Sequence, residues 1–206
     1  MKKVLLFAGI LLSSALSFGQ AAEQGNIIID PYYGFPNFGK SLAETTAEGL
    51  ADVNITGYGP TGLRVEYLLG DQFGIGVDAI FNGFGVEGTS RDTVGYDVNA
   101  NPVVETYTAR ATMNRMRIQA RFNYHFDVSS PDLDIYMGLG AGTNIRKYKY
   151  EEDGVEDPDQ TISGSLIPVS FRFAAGMRYY FTDNIGLNAE LGLGGPIISA
   201  GLSFKF

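Results

Sequence analysis

Residues 167–181 read IPVSFRFAAGMRYYF. Ile167, Val169, Phe171, Phe173, Ala175, Met177, Tyr179 and Phe181 share one parity, and Pro168, Ser170, Arg172, Ala174, Gly176, Arg178 and Tyr180 share the other. Successive side chains of a strand point to opposite faces, so this is a strand with one greasy face and one face of small and charged residues. The period continues to Phe206. Ile185, Leu187, Ala189, Leu191 and Leu193 alternate with Gly186, Asn188, Glu190 and Gly192. After the Gly194-Gly195-Pro196 turn, Ile198, Ala200, Leu202, Phe204 and Phe206 alternate with Ser199, Gly201, Ser203 and Lys205. Working backwards, residues 133–141, 116–126, 73–81 and 63–69 repeat the pattern. A segment at about 26–35 is the least regular, because Ile27, Ile28 and Ile29 follow one another and Pro31 interrupts. The count is eight strands, and the predicted fold is all-β.

The connections alternate in length. Residues 70–72, 127–132 and 182–184 are short and turn-like, whereas 37–59, 84–104 and 150–165 are long and polar, with one tight hairpin at 194–196 on the long-loop side. Short turns on one rim and long loops on the other describe an antiparallel up-and-down barrel that crosses a membrane, its turns periplasmic and its loops outside. The strands approach or exceed the 9–11 residues that a tilted membrane strand needs. The alternative, a soluble barrel with its apolar face inside, conflicts with volume. Phe, Tyr, Leu, Ile and Met on nearly every strand overfill an eight-stranded interior. The opposite face carries Gly138, Gly140, Gly176, Gly186 and Gly192 beside Arg115, Arg117, Arg121, Arg172 and Arg178. Glycine weakens a solvated strand but makes room for long side chains in a narrow lumen. The expected wall is therefore apolar outward and charged inward.

Composition agrees with a single barrel. The 206 residues carry a net charge of −8, 27 Gly, 14 Phe, 12 Tyr, no Trp and no Cys. Without Cys there is no disulfide framework, thiolate metal site or cysteine nucleophile. The acidic balance excludes a nucleic-acid binder that works by releasing counterions from phosphates. Lys2 and Lys3 precede an apolar run at 4–12 and then Ser13, Ser14, Ala15 and Ser17, the layout of a secretory signal peptide. Small residues allow cleavage after Gly19 or Ala21. The expected division is a removed signal peptide at 1–21 and a barrel domain at 22–206.

Ser199, Gly201, Phe204 and Phe206 match the C-terminal assembly signal of outer-membrane barrels: a polar residue, Gly, then apolar or aromatic residues ending on Phe. With the leader and the eight strands, the chain resembles the small eight-stranded outer-membrane barrels, the group of the OmpA transmembrane domain, OmpX, the opacity-type proteins and the "porin family" β-barrel domains. That resemblance implies a Gram-negative outer membrane, contact with its lipid and lipopolysaccharide, and assembly by periplasmic chaperones and the barrel insertion machinery reading Phe206. The absence of Trp departs from the family. Tyr67, Tyr124, Phe126, Tyr179, Phe181, Phe204 and Phe206 are expected to form the periplasmic aromatic girdle, and Tyr107, Tyr148 and Tyr150 the outer one.

By parity Arg64, Glu66, Asp78, Arg115, Arg117, Arg121, Asp134, Arg146, Arg172, Arg178, Glu190 and Lys205 point inward. Buried charges must pair or be hydrated, so these form either a salt-bridge plug or the lining of a narrow path that its basic surplus would make anion-preferring. His125, the one histidine, is expected at the periplasmic end of the fourth strand, far from where a lipid A deacylase of this barrel type would act. No GxSxG elbow, zinc helix or P-loop accompanies it. Glu151, Glu152, Asp153, Glu156, Asp157 and Asp159 form an acidic run, read as a solvated loop rather than a Ca²⁺ or Mg²⁺ site because it lacks an EF-hand register. The expectation is a monomeric, non-enzymatic barrel without cofactor or metal. Its expected role is structural or surface-interactive, in membrane integrity or adhesion, through a ligand the sequence does not name. A narrow channel is the alternative, and a lipid A-modifying enzyme a distant third.

Overall fold

A computed structural model describes residues 21–47, 52–128 and 130–206. The expected signal peptide, apart from Ala21, lies outside the described residues. The elements run β1 (Ile27–Phe35), α1 (Phe38–Ala47), β2 (Val53–Gly70), β3 (Phe73–Tyr96), β4 (Pro102–Phe126), β5 (Leu133–Thr143), β6 (Ile145–Glu152), β7 (Val155–Glu156), β8 (Ile162–Ser163), β9 (Val169–Tyr180), β10 (Ile185–Leu193) and β11 (Ile198–Lys205). All pairings are antiparallel. β1 to β5, then β9, β10 and β11, follow one another round the ring. β11 closes it on β1, with Ile29 opposite Phe204 and Phe35 opposite Ile198. β6 continues the line of β5 along the upper part of β4, after a break at Asn144. Eight staves make the barrel.

Alternation fixes which face meets which environment. Val65, Tyr67, Val77, Leu139, Phe171, Phe173, Leu187 and Leu191 point outward and are exposed, while Arg64, Glu66, Asp78, Arg172, Arg178 and Glu190 point inward and are buried. A one-residue slip would move every one of them to the wrong side. In the irregular first strand the inward set is Ile28, Asp30 and Tyr32. Val77 stands in the middle of the wall between Val65 and Ala120. Val77→Arg should therefore cost about 2–4 kcal/mol, the penalty for a cation at the lipid-facing midplane. Urea unfolding in lipid vesicles measures this, and Val94→Arg on the exposed ribbon should stay within about 0.5 kcal/mol.

The segments expected as long polar loops are largely ordered. β3 and β4 stay paired far beyond the wall, to Tyr96 opposite Pro102, forming a two-stranded ribbon. Alternation fails there because both faces meet water, yet β-branched residues such as Thr89, Thr93, Val103, Val104, Thr106 and Thr108 still suit a ladder. Its tip is a turn in which Asp97 accepts hydrogen bonds from Asn99 N (2.8 Å), Asn101 N (2.8 Å) and Asn101 Nδ2 (3.0 Å). Those bonds, the Asn101 side chain's first, hold the Asp97 carboxyl below the usual carboxylate range. Tyr107, expected in the outer girdle, lies on this ribbon opposite Ser90 and donates to Asp92.

The 37–59 segment holds α1 and the outer part of β2. Asn37 caps the helix by accepting from Lys40 N (3.3 Å). Its amide also donates to Tyr58 O (2.5 Å) and Gly83 O (2.9 Å), beside the bulge at Tyr58/Thr61 in the β2–β3 ladder. At the opposite rim, Phe73, Phe122, Tyr124 and Phe126 form edge and tilted aromatic contacts with ring centroids 5.1–5.8 Å apart.

Candidate functional site

The lumen holds the polar side chains of the barrel, in two clusters. The first gathers on Glu190 of β10. Arg64 Nη1 reaches Glu190 Oε2 at 2.6 Å, Arg121 Nη2 reaches it at 2.9 Å, and Arg172 Nε reaches Oε1 at 3.0 Å. Asp78 of β3 shares the charge, 3.3 Å from Arg121 and 3.9 Å from Arg172. One carboxylate thus ties together β2, β4, β9 and β10 across the barrel axis. The second cluster gathers on Arg178 of β9, which meets Asp30 (2.9 Å), Glu66 (2.7 Å) and Asp134 (2.7 Å). His125 lies between two of those carboxylates, Nδ1 2.7 Å from Asp134 and Nε2 3.0 Å from Glu66. Ionised carboxylates only accept, so both ring nitrogens donate, as in the imidazolium. Each of these side chains is at most 5% exposed.

Neutral groups join the two clusters. Asn123 accepts from Arg121 (3.2 Å) and donates to Glu66 (2.7 Å). Tyr136 accepts from Arg64 (2.7 Å) and donates to Glu190 (3.1 Å), while Arg178 lies over its ring at 4.3 Å. Tyr32 donates to Asp78 (2.7 Å) beneath the Arg64 guanidinium, 4.3 Å from the ring centroid. Lumenal glycines make this possible: a Cβ at Gly138 would lie 2.4 Å from Arg121 Nη2. Four guanidinium groups and His125 face five carboxylates, Asp30, Glu66, Asp78, Asp134 and Glu190. The charges balance inside a wall whose outer face is apolar.

Parity reasoning missed Asp30, because Pro31 and three consecutive isoleucines hide the phase of β1. The signal was available by counting back from Tyr32. It also missed Tyr32 and Tyr136, which parity places inward but which read as ordinary aromatics. The turn at 194–196 enters the mouth. Gly194 O accepts from Arg117 Nη1 (2.7 Å), Pro196 O accepts from Arg172 Nη1 (3.3 Å), and Pro196 is buried. Gly194 has φ +84° and lies so close to Phe171 O that a Cβ would stand 1.8 Å from it, so only glycine fits.

The remaining sequence candidates lie elsewhere. Arg115 and Arg146 face the mouth above the clusters, and Lys205 donates to Ala21 O (3.0 Å) beside Tyr180 at the other end. Ser199 lies at 3.4 Å from Arg64 Nη2, Gly201 opposite Tyr32, and Phe204 and Phe206 on the outer face, with Phe206 hydrogen-bonded to Ile27 across the closing seam. The acidic run is used locally: Lys149 pairs with Glu151 (2.8 Å) and Glu156 (3.2 Å), and Asp153 accepts from Thr108 N (2.8 Å). Among the described residues no group of three or more His, Cys, Asp or Glu is arranged to hold a metal ion.

The model of the outer membrane protein beta-barrel domain family matches residues 5–200 of the chain. The chain belongs to that family. Membership places the barrel in a Gram-negative outer membrane. Among solved structures it is similar to the N-terminal β-barrel domain of OprF from Pseudomonas aeruginosa, at 15% identity, covering 89% of this chain and 99% of that one with a TM-score of 0.47. It is similar to OprG from the same organism at 13% identity, 92% and 98% coverage and a TM-score of 0.48. Ail, the attachment invasion locus protein of Yersinia pestis, is 13% identical with 89% and 99% coverage and a TM-score of 0.40. Comparison with the curated proteins found no match.

Proposed function

We propose that this protein is a closed-lumen anchor of the outer membrane whose task is structural or surface-interactive, exercised by the β3–β4 ribbon and the β6–β8 segment outside the cell. The observation that carries this reading is the continuous hydrogen-bonded network from Arg172 and Glu190 to Arg178 and Asp30, which crosses the lumen with every carboxylate paired. A hydrated path would require those charges to face water. Recognition on loops held by a rigid scaffold suits the ordered ribbon. In this reading the leader at 1–21 is cleaved, periplasmic chaperones and the insertion machinery take up the C-terminal strand ending in Phe206, and the barrel works as a monomer in contact with lipid and lipopolysaccharide.

A narrow anion-preferring channel is the second reading, favoured by Arg115, Arg117 and Arg146 near the mouth. An enzyme acting on lipid A is disfavoured. Both His125 nitrogens are engaged by carboxylates, which leaves neither to act as a base toward a serine hydroxyl. Single-channel recording of the refolded protein in a planar bilayer under a salt gradient separates the readings. The expected result is insertion without openings. Steady anion-selective openings would replace this reading with the channel.

A further inference from the structure

The charge balance stops below the mouth. Arg115 on β4 and Arg146 on β6 stand directly opposite each other in register, and Arg117 follows Arg115 on the same inward face. Like charges directly opposed across a strand pair are destabilising. Among the described residues none of the three has a carboxylate within salt-bridge distance. Each has one neutral acceptor instead: Asn144 Oδ1 for Arg115 (2.7 Å), Gly194 O for Arg117 (2.7 Å) and Tyr148 OH for Arg146 (3.4 Å).

The site also has unused hydrogen-bonding capacity. Arg117 is 6% exposed and its Nε has no partner, and the Nε of Arg146 is likewise buried and unpaired. Asn82, 7% exposed and opposite Arg115 in the ladder, leaves its side-chain oxygen unpaired. An amide's O and N ends are interchangeable by rotation, so Asn82 can present a donor there. Five paired carboxylates lie beneath, yet nothing in the described structure compensates these three guanidinium groups.

We propose that Arg115, Arg117 and Arg146, with Asn82, form a binding site at the mouth for a phosphate group, either free or carried on a saccharide or lipid head group. A tetrahedral dianion fits this set better than a monoanion. It offers oxygens to several guanidinium forks at once, the arrangement in which arginine binds phosphate most strongly. It also removes most of the repulsion that Arg115 and Arg146 impose on each other. The site binds its anion at the top of a sealed lumen, so it does not depend on conduction.

The test measures the thermal unfolding midpoint of the refolded protein in zwitterionic detergent against inorganic phosphate, with ionic strength held constant by chloride. The expected result is a saturable rise. In Arg115→Gln and Arg146→Gln the phosphate concentration needed should increase by about tenfold or more, the loss of one charge-assisted hydrogen bond. In phosphate-free buffer Arg146→Gln should be at least as stable as the parent, because an opposed like charge is gone. A second arm compares nanodiscs containing lipid A with nanodiscs containing its dephosphorylated form. A midpoint higher in lipid A, and blunted in both variants, identifies the lipid head group as the source. A response to inorganic phosphate alone identifies a free or saccharide-borne group. No saturable response in either arm overturns the proposal, as do equal responses in the variants, or a destabilised Arg146→Gln that keeps the phosphate effect, which would make the arginines structural.

Discussion

Glu190→Gln should destabilise the barrel by about 3–5 kcal/mol, the cost of breaking a buried ion pair from one side. The volume is preserved, so the effect isolates charge. Arg64, Arg121 and Arg172 all converge on this carboxylate. Without it only Asp78 remains to face three guanidinium groups. The side-chain amide accepts on one end alone, and its NH₂ end would point at a guanidinium donor. Equilibrium unfolding in urea with lipid vesicles, followed by circular dichroism, gives the value. Glu151→Gln removes the same charge from a Lys149 contact outside the barrel and should change stability by less than about 0.5 kcal/mol.

Arg178→Met should cost at least as much, about 5 kcal/mol. It leaves Asp30, Glu66 and Asp134 mutually repelling, with His125 the one cation among the described residues that still contacts Glu66 and Asp134. It also removes the guanidinium stacked on Tyr136. The network gives this variant a specific signature. Residues sharing one hydrogen-bonded cluster are not additive, so adding Asp30→Asn to Arg178→Met should recover part of the loss, although Asp30→Asn alone destabilises. A double variant that loses the sum of the two single effects would mean that the cluster does not act as a unit.

What was legible in the sequence followed from period two. Alternation in 167–181 and its neighbours specified the faces of β3, β4, β5, β9, β10 and β11, since a strand between lipid and a polar lumen has no freedom of parity. β1 is obscure because Ile28 is an apolar residue on the inward face, packed with Ala22 and Leu68, and Pro31 breaks the rhythm, which conceals Asp30. The ribbon above the membrane has no strand signature in the sequence, because water on both faces removes the alternation while cross-strand hydrogen bonds remain. α1 rests on a cap and on contacts with β2 and β3, neither of which leaves a strong periodic mark in ten residues. Parity also named the inward charges without their partners. That Glu190 serves three arginines while Arg115 and Arg146 face each other depends on strand register, and register comes from ring closure over distances no local pattern encodes.

The central claim is that the lumen is closed at the level of the charge network. The chain has no cysteine, so a single introduced thiol reports on one position alone. Ser199 points inward, is 0% exposed, and has only a 3.4 Å contact with Arg64, which makes Ser199→Cys a mild change beside Glu190. In the barrel reconstituted in vesicles, a charged thiol reagent added to either side should leave this cysteine unmodified until urea unfolds the protein, while Asn99→Cys at the ribbon tip reacts at once. Prompt reaction at position 199 in the folded barrel would mean that water and ions reach the middle of the lumen, and would contradict the account.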